Sequence, residues 1–459
     1  MRVEKDSLGE KAIPENAYYS INTARSIENF IIGSEILPHD IIYAIVKLKL
    51  ACAHANIELG NLERVKGQAI IRACDLILKG EFDAHFSVNV FQAGSGTSSN
   101  MNVNEVLANI ACEELGTHRG DRNIVHPNDD VNKGQSTNNI FPSAIRIAVI
   151  ELSKKLIKSL ESLSKAFREK EKAFADVLKS GRTHLRDAVP ITLGQEFGAY
   201  ARAVEKDLHR IGKARESLYE LGIGGNAVGT GVNTKKVFRF VIIQRLKTLT
   251  EEPFRVAENG IEATQFLTDI AELSSVLKLL SLDIQKIVND LRLLSSGPNT
   301  GLGEIDLPPV EPGSSIMPGK INPSICEAVN MACIQVIGYD HTIALSCGAG
   351  QLELNTYMPL IGTNIVKSII VLDDCCQSLV EKCISGIRVN RDICRDHFET
   401  SMGLATVLNP ILGYDSVAEL VKESLATKKM LKELILEKGI ISESEWHKIT
   451  MSSTEPESD

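Results

Sequence analysis

Residues 261–296 read IEATQFLTDIAELSSVLKLLSLDIQKIVNDLRLLSS, 36 positions with neither glycine nor proline. Phe266/Leu267, Ile270, Leu273, Val276/Leu277, Leu280, Ile284, Ile287/Val288 and Leu291 recur at spacings of three and four, the period of one wide helical face. A helix of that length spans roughly 55 Å at ~1.5 Å per residue. Residues 143–180 are likewise free of both breakers and carry the same period. Residues 191–221, 324–347 and 363–385 add three helical candidates, which together predict a five-helix bundle. Helices this long outgrow one small domain and suggest a bundle shared between subunits. Outward from this core, residues 1–135 read as a mixed, mostly helical N-terminal domain. Residues 136–387 hold the bundle, and 388–459 read as a small helical C-terminal domain with a polar, acidic end. The fold class expected is therefore mainly α, with smaller domains flanking a central bundle.

At 459 residues the chain exceeds the size of a single core. Hydrophobic residues make up 43% but aromatics only 5%, with one Trp, so the helices must pack through Leu, Ile, Val and Ala. A net charge of −9 and a pI near 5.7 argue against nucleic acid or an anionic membrane as partner. No apolar run is long enough to span a membrane, and the opening MRVEKDSLGEK lacks the apolar core of a signal peptide. Ten Cys without a CxxC pair read as reduced thiols, which implies a cytoplasmic location. The adjacent Cys375 and Cys376 fall in a helical pattern and read as buried small apolar residues. Ten His without an HExxH give no support to a metal site, and no cofactor is implied.

Two glycine-rich loops interrupt the helices. Gly222-Ile223-Gly224-Gly225-Asn226-Ala227-Val228-Gly229-Thr230-Gly231 follows a helix rather than a strand, so it reads as a helix-breaking loop, not a dinucleotide fingerprint. Gly313-Ser314-Ser315-Ile316-Met317-Pro318-Gly319-Lys320-Ile321-Asn322-Pro323 is richer in chemistry. Ser314 and Ser315 follow a glycine, so hydroxyls and backbone N–H groups can approach a ligand together. Lys320 and Asn322 alternate with Ile321 and so can point at one anionic group. The loop suits a small di-acid, or it is a turn capping the helix that starts near Ser324.

The second loop resembles the GSSxMPxKxNP mark of the fumarase/aspartase superfamily. Gly94-Ser95-Gly96-Thr97-Ser98-Ser99-Asn100-Met101-Asn102, with Asn128-Asp129-Asp130-Val131-Asn132-Lys133 and Gln135-Ser136-Thr137-Asn138, looks like that family's first shared region. Gly181-Arg182-Thr183-His184-Leu185 and Asp187-Ala188-Val189-Pro190 look like the second. The similarity runs from roughly residue 3 to residue 447, in order and at family-like spacing. It implies a homotetramer whose four chains pool central helices into a twenty-helix core, with active sites shared between subunits.

The resemblance also implies roles. Elimination across a succinate skeleton removes a weakly acidic proton and leaves an aci-carboxylate with two negative charges on one group. It therefore needs a base, dense donors around that carboxylate, and an anchor for the other. Ser314 stands where the family has its base, and Ser315 beside it adds a donor. Lys320 and Asn322 would anchor the far carboxylate. Thr97, Ser136, Thr137 and Asn138 would supply donors to the reacting carboxylate and leaving group, although a Gln-Ser-Thr-Asn run equally caps a helix beginning near Phe141. Thr183 and His184 would arrive from a second subunit. Glu327 stands where the family pairs a Glu with this His; a structural salt bridge is the alternative.

Secondary resemblances divide the family. Asn16-Ala17-Tyr18-Tyr19, Glu28-Asn29-Phe30, Thr137, Gln351-Leu352-Glu353-Leu354-Asn355, Glu381-Lys382-Cys383-Ile384-Ser385-Gly386-Ile387 and Leu408-Asn409-Pro410 look like aspartases, which release ammonia from L-aspartate to give fumarate. His126-Pro127-Asn128-Asp129-Asp130 and Gly224-Gly225 look more like fumarases, which hydrate fumarate to L-malate. The balance implies an aspartase, with fumarase next. A non-catalytic relative is disfavoured because Ser314, Lys320, Asn322, Thr183 and His184 are all retained. Three residues depart from the common pattern: Asn139 where Asp is usual, Arg186 where Gln is usual, and Tyr339 before Asp340.

Overall fold

The computed structural model describes residues 1–313, 316–452 and 454. The chain opens with the hairpin β1 (Arg2–Asp6) and β2 (Gly9–Ile13), then α1 (Ile21–Asn29), α2 (His39–Glu58), α3 (Arg64–Ile77) and α4 (Thr97–Glu114). Next come α5 (Thr137–Ala173), β3 (Leu178–Thr183), β4 (Arg186–Thr192), α6 (Leu193–Arg215), β5 (Glu220–Leu221), α7 (Val237–Thr250), β6 (Arg255–Val256), α8 (Gly260–Gln265) and α9 (Thr268–Leu294). The rest is β7 (Ile305–Asp306), α10 (Ser324–Gly348), α11 (Met358–Lys382), β8 (Arg388–Val389), and α12 (Arg391–Thr400), α13 (Ala405–Leu412), α14 (Tyr414–Thr427), α15 (Leu431–Glu437) and α16 (Glu443–Ser452). Each sheet has two strands, so the fold is mainly α.

The five long helices occur where the periodicity puts them, with two instructive differences. The apolar run of 261–296 breaks at Phe266, whose backbone is extended. The Arg146 guanidinium accounts for the break. It bonds the Phe266 carbonyl at 3.3 Å and grips Asp269, in the first turn of α9, at 2.6 and 3.1 Å. The run of 143–180 starts earlier and stops sooner, as α5. Just past its end the chain is held from outside the helix: Gly194 N–H donates to Phe174 O at 3.0 Å and Leu193 N–H to Val177 O at 2.8 Å. A side chain at Gly194 would run into Glu171 O, so the entry of α6 folds directly over the end of α5. The released residues form the β3–β4 hairpin, which the sequence period did not announce.

By contacts the chain forms two compact units, and the division runs through the long helices rather than between them. The first holds residues 1–157, 209–281 and 334–372. Within it Arg146–Asp269 joins α5 to α9. Asp340 accepts from Ser274 at 2.7 Å and Lys278 at 2.5 Å, joining α9 to α10. Gly362 on α11 leaves no room for a side chain against Ile41 and Ile145. The second holds 158–208, 282–333 and 373–459. There Phe167, Phe174, Phe197 and Tyr200 pack ring against ring, three of the four pairs edge to face and Phe167–Phe197 tilted, where the end of α5 meets α6. Ser159 ties α5 to Asp373 of α11 at 2.6 Å, and Tyr200 ties α6 to Asp290 of α9 at 2.9 Å. Phe398, Leu404, Leu408, Val417, Leu420, Leu431, Ile435 and Trp446 form a separate small core for the C-terminal helices.

No helix among the described residues is long and apolar enough to cross a membrane.

Candidate active site

In the first unit, two helix N-termini carry the donor set. Ser95 (φ 63°) and Gly96 (φ 87°) turn the chain sharply into α4, so Thr97 becomes its first residue. Gly96 is obligatory here. A Cβ would lie 2.2 Å from the Phe141 ring, so the turn can approach α5 only without one. Ser95 N–H donates to Thr356 O at 2.9 Å, which braces the turn from the loop before α11.

Ser136 caps α5: its Oγ accepts from Asn138 N–H at 3.3 Å, while its own N–H donates to Asn139 Oδ1 at 3.2 Å. This reciprocal cap gives Asn139 a role, because an amide oxygen accepts there as well as a carboxylate would. The helix therefore starts at Thr137, not near Phe141. Pro142, in the second turn, offers no N–H and leaves the Asn138 carbonyl without its usual donor.

Side chains then stitch the two helix starts together. Ser95 Oγ donates to Asn138 Oδ1 at 3.1 Å, and Asn100 Nδ2 donates to Thr137 Oγ1 at 3.0 Å. Thr97 Oγ1 lies 3.4 Å from Ser95 Oγ and bonds Gly94 O at 3.2 Å. Asn138 Nδ2 donates to Ala227 O at 2.8 Å, so the glycine-rich loop of 222–231 supports the cluster. Gly229 approaches Gly260 so closely that a side chain would meet its carbonyl at 2.2 Å. Thr97, Ser136, Thr137 and Asn138 are thus brought together, with the positive ends of α4 and α5 beside them. Ser99 Oγ, Asn100 Oδ1 and Asn139 Nδ2, all buried, make no hydrogen bond within the described chain. The supporting roles of Ser95, Asn100 and Ala227 are new to the structure. A Ser between two glycines and an Asn one turn after Thr97 were the available signals.

In the second unit, Thr183 and His184 sit at the tip of the β3–β4 hairpin and are exposed. His184 (φ 55°) and Leu185 (φ 57°) both take left-handed backbone, as a two-residue turn matching strand twist demands. The loop between β7 and α10 carries the remaining candidates. Ser314 and Ser315 lie outside the described residues. Asn322 Nδ2 donates to Gly313 O at 2.6 Å and closes the loop at its base, where Gly313 leaves no space beside Lys320 O. Lys320 is exposed. Glu327, in the first turn of α10, meets Arg292 of α9 at 3.6 Å rather than His184. Both groups are partly exposed. Lys320, Asn322, Glu327 and Arg292 line a cleft of about 1080 Å³ with Arg388, Asp306 and a run of prolines. Three cations against two carboxylates leave this cleft favourable to an anion. Arg292 was not foreseen, although a basic residue in the last turn of a long helix is a common complement to its dipole.

Hydroxyls, amides and helix N-termini thus gather in the first unit, and the second carries a cation and an amide on the loop between β7 and α10. Comparison with known proteins defines the class. The Lyase family matches residues 9–338 and the Fumarase C C-terminus family matches residues 404–452. An aspartate ammonia-lyase of Helicobacter pylori is 43% identical over 97% of this chain and 96% of its own length. A class II fumarate hydratase of Thermosynechococcus vestitus is 44% identical over 97% and 96%. The crystal structure of a fumarate lyase:delta crystallin from Brucella melitensis bound to cobalt superposes with a TM-score of 0.96 at 43% identity, covering 99% of this chain and all of that one. The chain belongs to the fumarase/aspartase superfamily of lyases.

Proposed function

We propose that this chain is an aspartate ammonia-lyase, removing ammonia reversibly from L-aspartate to give fumarate through an aci-carboxylate intermediate. The observation that carries the reading is the convergence of the α4 and α5 N-termini on Thr97, Ser136, Thr137 and Asn138. Such a cluster suits a carboxylate that gains a second charge as the reaction proceeds. Ser314 takes the proton from the carbon beside this carboxylate, the C–N bond of the neighbouring carbon breaks, and ammonia leaves. A serine hydroxyl is far too weak a base unless its anion is stabilised, which loop N–H groups and Lys320 would do. Ser315 adds a donor, and Lys320 with Asn322 anchors the second carboxylate.

The donors divide among subunits of a homotetramer in this reading: Thr97 and Ser136 to Asn138 from one chain, Thr183 and His184 from another, Ser314 to Asn322 from a third. Glu327 would exchange Arg292 for His184 of a neighbouring subunit, fixing its tautomer. Apolar residues left exposed along the long helices support an assembly: Leu279 and Leu282 on α9, and Met331 at 66%, Ile334 at 59% and Leu345 at 64% on α10. Pooling four such sets of helices would give the twenty-helix core.

Fumarate hydratase is the second reading, favoured by the equal similarity of class II fumarases and by the His126–Asp130 segment. Purified protein assayed with L-aspartate and L-malate side by side, following the ultraviolet absorbance of fumarate, decides between them. Aspartate is expected to be the substrate turned over; turnover of malate alone would replace the proposal with the hydratase.

A further inference from the structure

The second unit contains a buried charge cluster that no step above uses. Glu304 is fully buried, and its Oε1 accepts from Arg182 Nη2 at 2.7 Å. Oε2 lies 2.7 Å from Lys179 Nζ, itself 2% exposed, and Lys179 also pairs with Glu196 of α6 at 2.8 Å. His397 of α12 completes the cluster, its Nδ1 3.1 Å from Glu304 Oε1 and 3.3 Å from Arg182 Nη2. Burial alone would raise the Glu304 carboxyl, but the bonds from Arg182 and Lys179 outweigh it and hold the group below the usual carboxylate range.

The placement of these residues gives the cluster its meaning. Lys179 and Arg182 belong to β3, and Arg182 directly precedes Thr183 and His184. Glu304 opens the segment that runs through β7 into the Gly313 loop. The Glu304 backbone is pinned as well: its N–H donates to Leu294 O and its carbonyl accepts from Asn390 N–H, each at 2.9 Å. At the far end of the same arm, two consecutive non-glycine residues hold left-handed backbone. Such conformations persist only where the surroundings over-determine them. A buried ion cluster adds little net stability over apolar packing, so its presence calls for another role.

We infer that Glu304, with Arg182, Lys179 and His397, is a positioning cluster that fixes the Thr183–His184 hairpin against the segment leading to the Gly313–Pro323 loop. The inference rests on the reading that Thr183 and His184 serve the substrate. Glu304 is a fixed post, and Arg182 transmits its position to the next two residues of the strand.

The test uses the full-length protein with Glu304→Gln and, because that change leaves two cations underbalanced, His397→Ala at a half-exposed position. Two readouts are taken: kcat and KM on whichever substrate the parent turns over, and amide hydrogen exchange across residues 178–192. Each variant is expected to exchange faster across the hairpin and to lose ~10-fold or more in kcat/KM, since small misplacements of catalytic groups are costly. In a His184→Ala background the loss caused by His397→Ala should shrink to about 2-fold or less, because the group being positioned is already gone. Should Glu304→Gln fail to fold, His397→Ala alone decides. Parental exchange and kcat/KM in His397→Ala overturn the inference, as does an undiminished loss in the His184→Ala background. A parent that turns over neither aspartate nor malate refutes the functional reading, while the exchange measurement still judges the anchor.

Discussion

At the residue scale the site depends on groups of very different legibility. Ser314, Lys320 and Asn322 stand out in the sequence because hydroxyl, cation and amide crowd into one glycine- and proline-bounded loop. Ser314→Ala is expected to cut turnover by ~10²-fold or more with folding intact, as removal of a proton-transfer group does; near-parental kcat would exclude it as the base. Lys320→Ala should raise KM and lower kcat together, because a dianion loses its main counter-charge. Titration of substrate binding in that variant checks this, and a change in thermal stability alone would make Lys320 structural. Lys49 was not legible, since nothing in its sequence context distinguishes a buried lysine from a solvated one. It is fully buried on α2, with Asn132 Oδ1 as its partner at 2.7 Å. Burial pushes its ammonium down to about 7, and the facing thiols Cys52 and Cys74 are pushed up and stay neutral. The unfolded value is ~10.4, so between those limits the unfolded chain holds the extra proton and stability rises with pH. The penalty, roughly 5 kcal/mol, is fully present below about pH 7. Lys49→Met should therefore raise the melting temperature near neutrality, with a gain that fades towards pH ~10. A gain independent of pH, or a loss at neutrality, would show that Lys49 is comfortably charged in place.

At the scale of elements, period and breakers disclosed the long helices but not their ends. An apolar stripe continues through Phe266 because burial, not hydrogen bonding, sets the pattern; the break comes from Arg146, more than a hundred residues away in sequence. The β3–β4 hairpin escaped for a related reason. Its turn residues, His184 and Leu185, are not the Asn-Gly type that announces a two-residue turn, although both take the left-handed backbone that such a turn requires. The domain boundaries read from composition follow the helices, whereas the compact units cut across them. Conversely, the loop of 222–231 was recognisable as a loop but not as the support of Asn138. The packing of α4 against α5 yields a direct test. Gly96→Ala introduces a Cβ into the Phe141 ring at a backbone angle that disfavours it. It is expected to lower thermal stability by about 1–3 kcal/mol, the range for overpacking a core. It should also depress kcat/KM, because the two helix starts can no longer converge. Parental activity and melting temperature in that variant would mean the convergence is not needed.

For the whole molecule, the three sequence regions do not form one constellation within a compact unit. Thr97 and Ser136–Asn138 belong to the first unit, the hairpin tip and the Gly313 loop to the second, and Glu327 meets Arg292 instead of His184. His184 is exposed at the end of an anchored arm, with Leu185 beside it 74% exposed. An apolar, strained tip in water gains nothing for an isolated chain, but it suits insertion into a neighbour. Closed symmetry lets every arm reach an equivalent site, so a homotetramer with four composite sites follows from the proposal. Mixing two inactive variants examines this directly. Ser314→Ala and His184→Ala each spoil every site of a pure tetramer, because every site draws one residue from a spoiled chain. After reversible dissociation and mixing, some sites draw Ser314 from one parent and His184 from the other, and activity should return to a substantial fraction of the unsubstituted level. A mixture as inactive as its parents, with subunit exchange verified by mass, would place Ser314 and His184 on the same chain at each site and dismiss the shared-site arrangement.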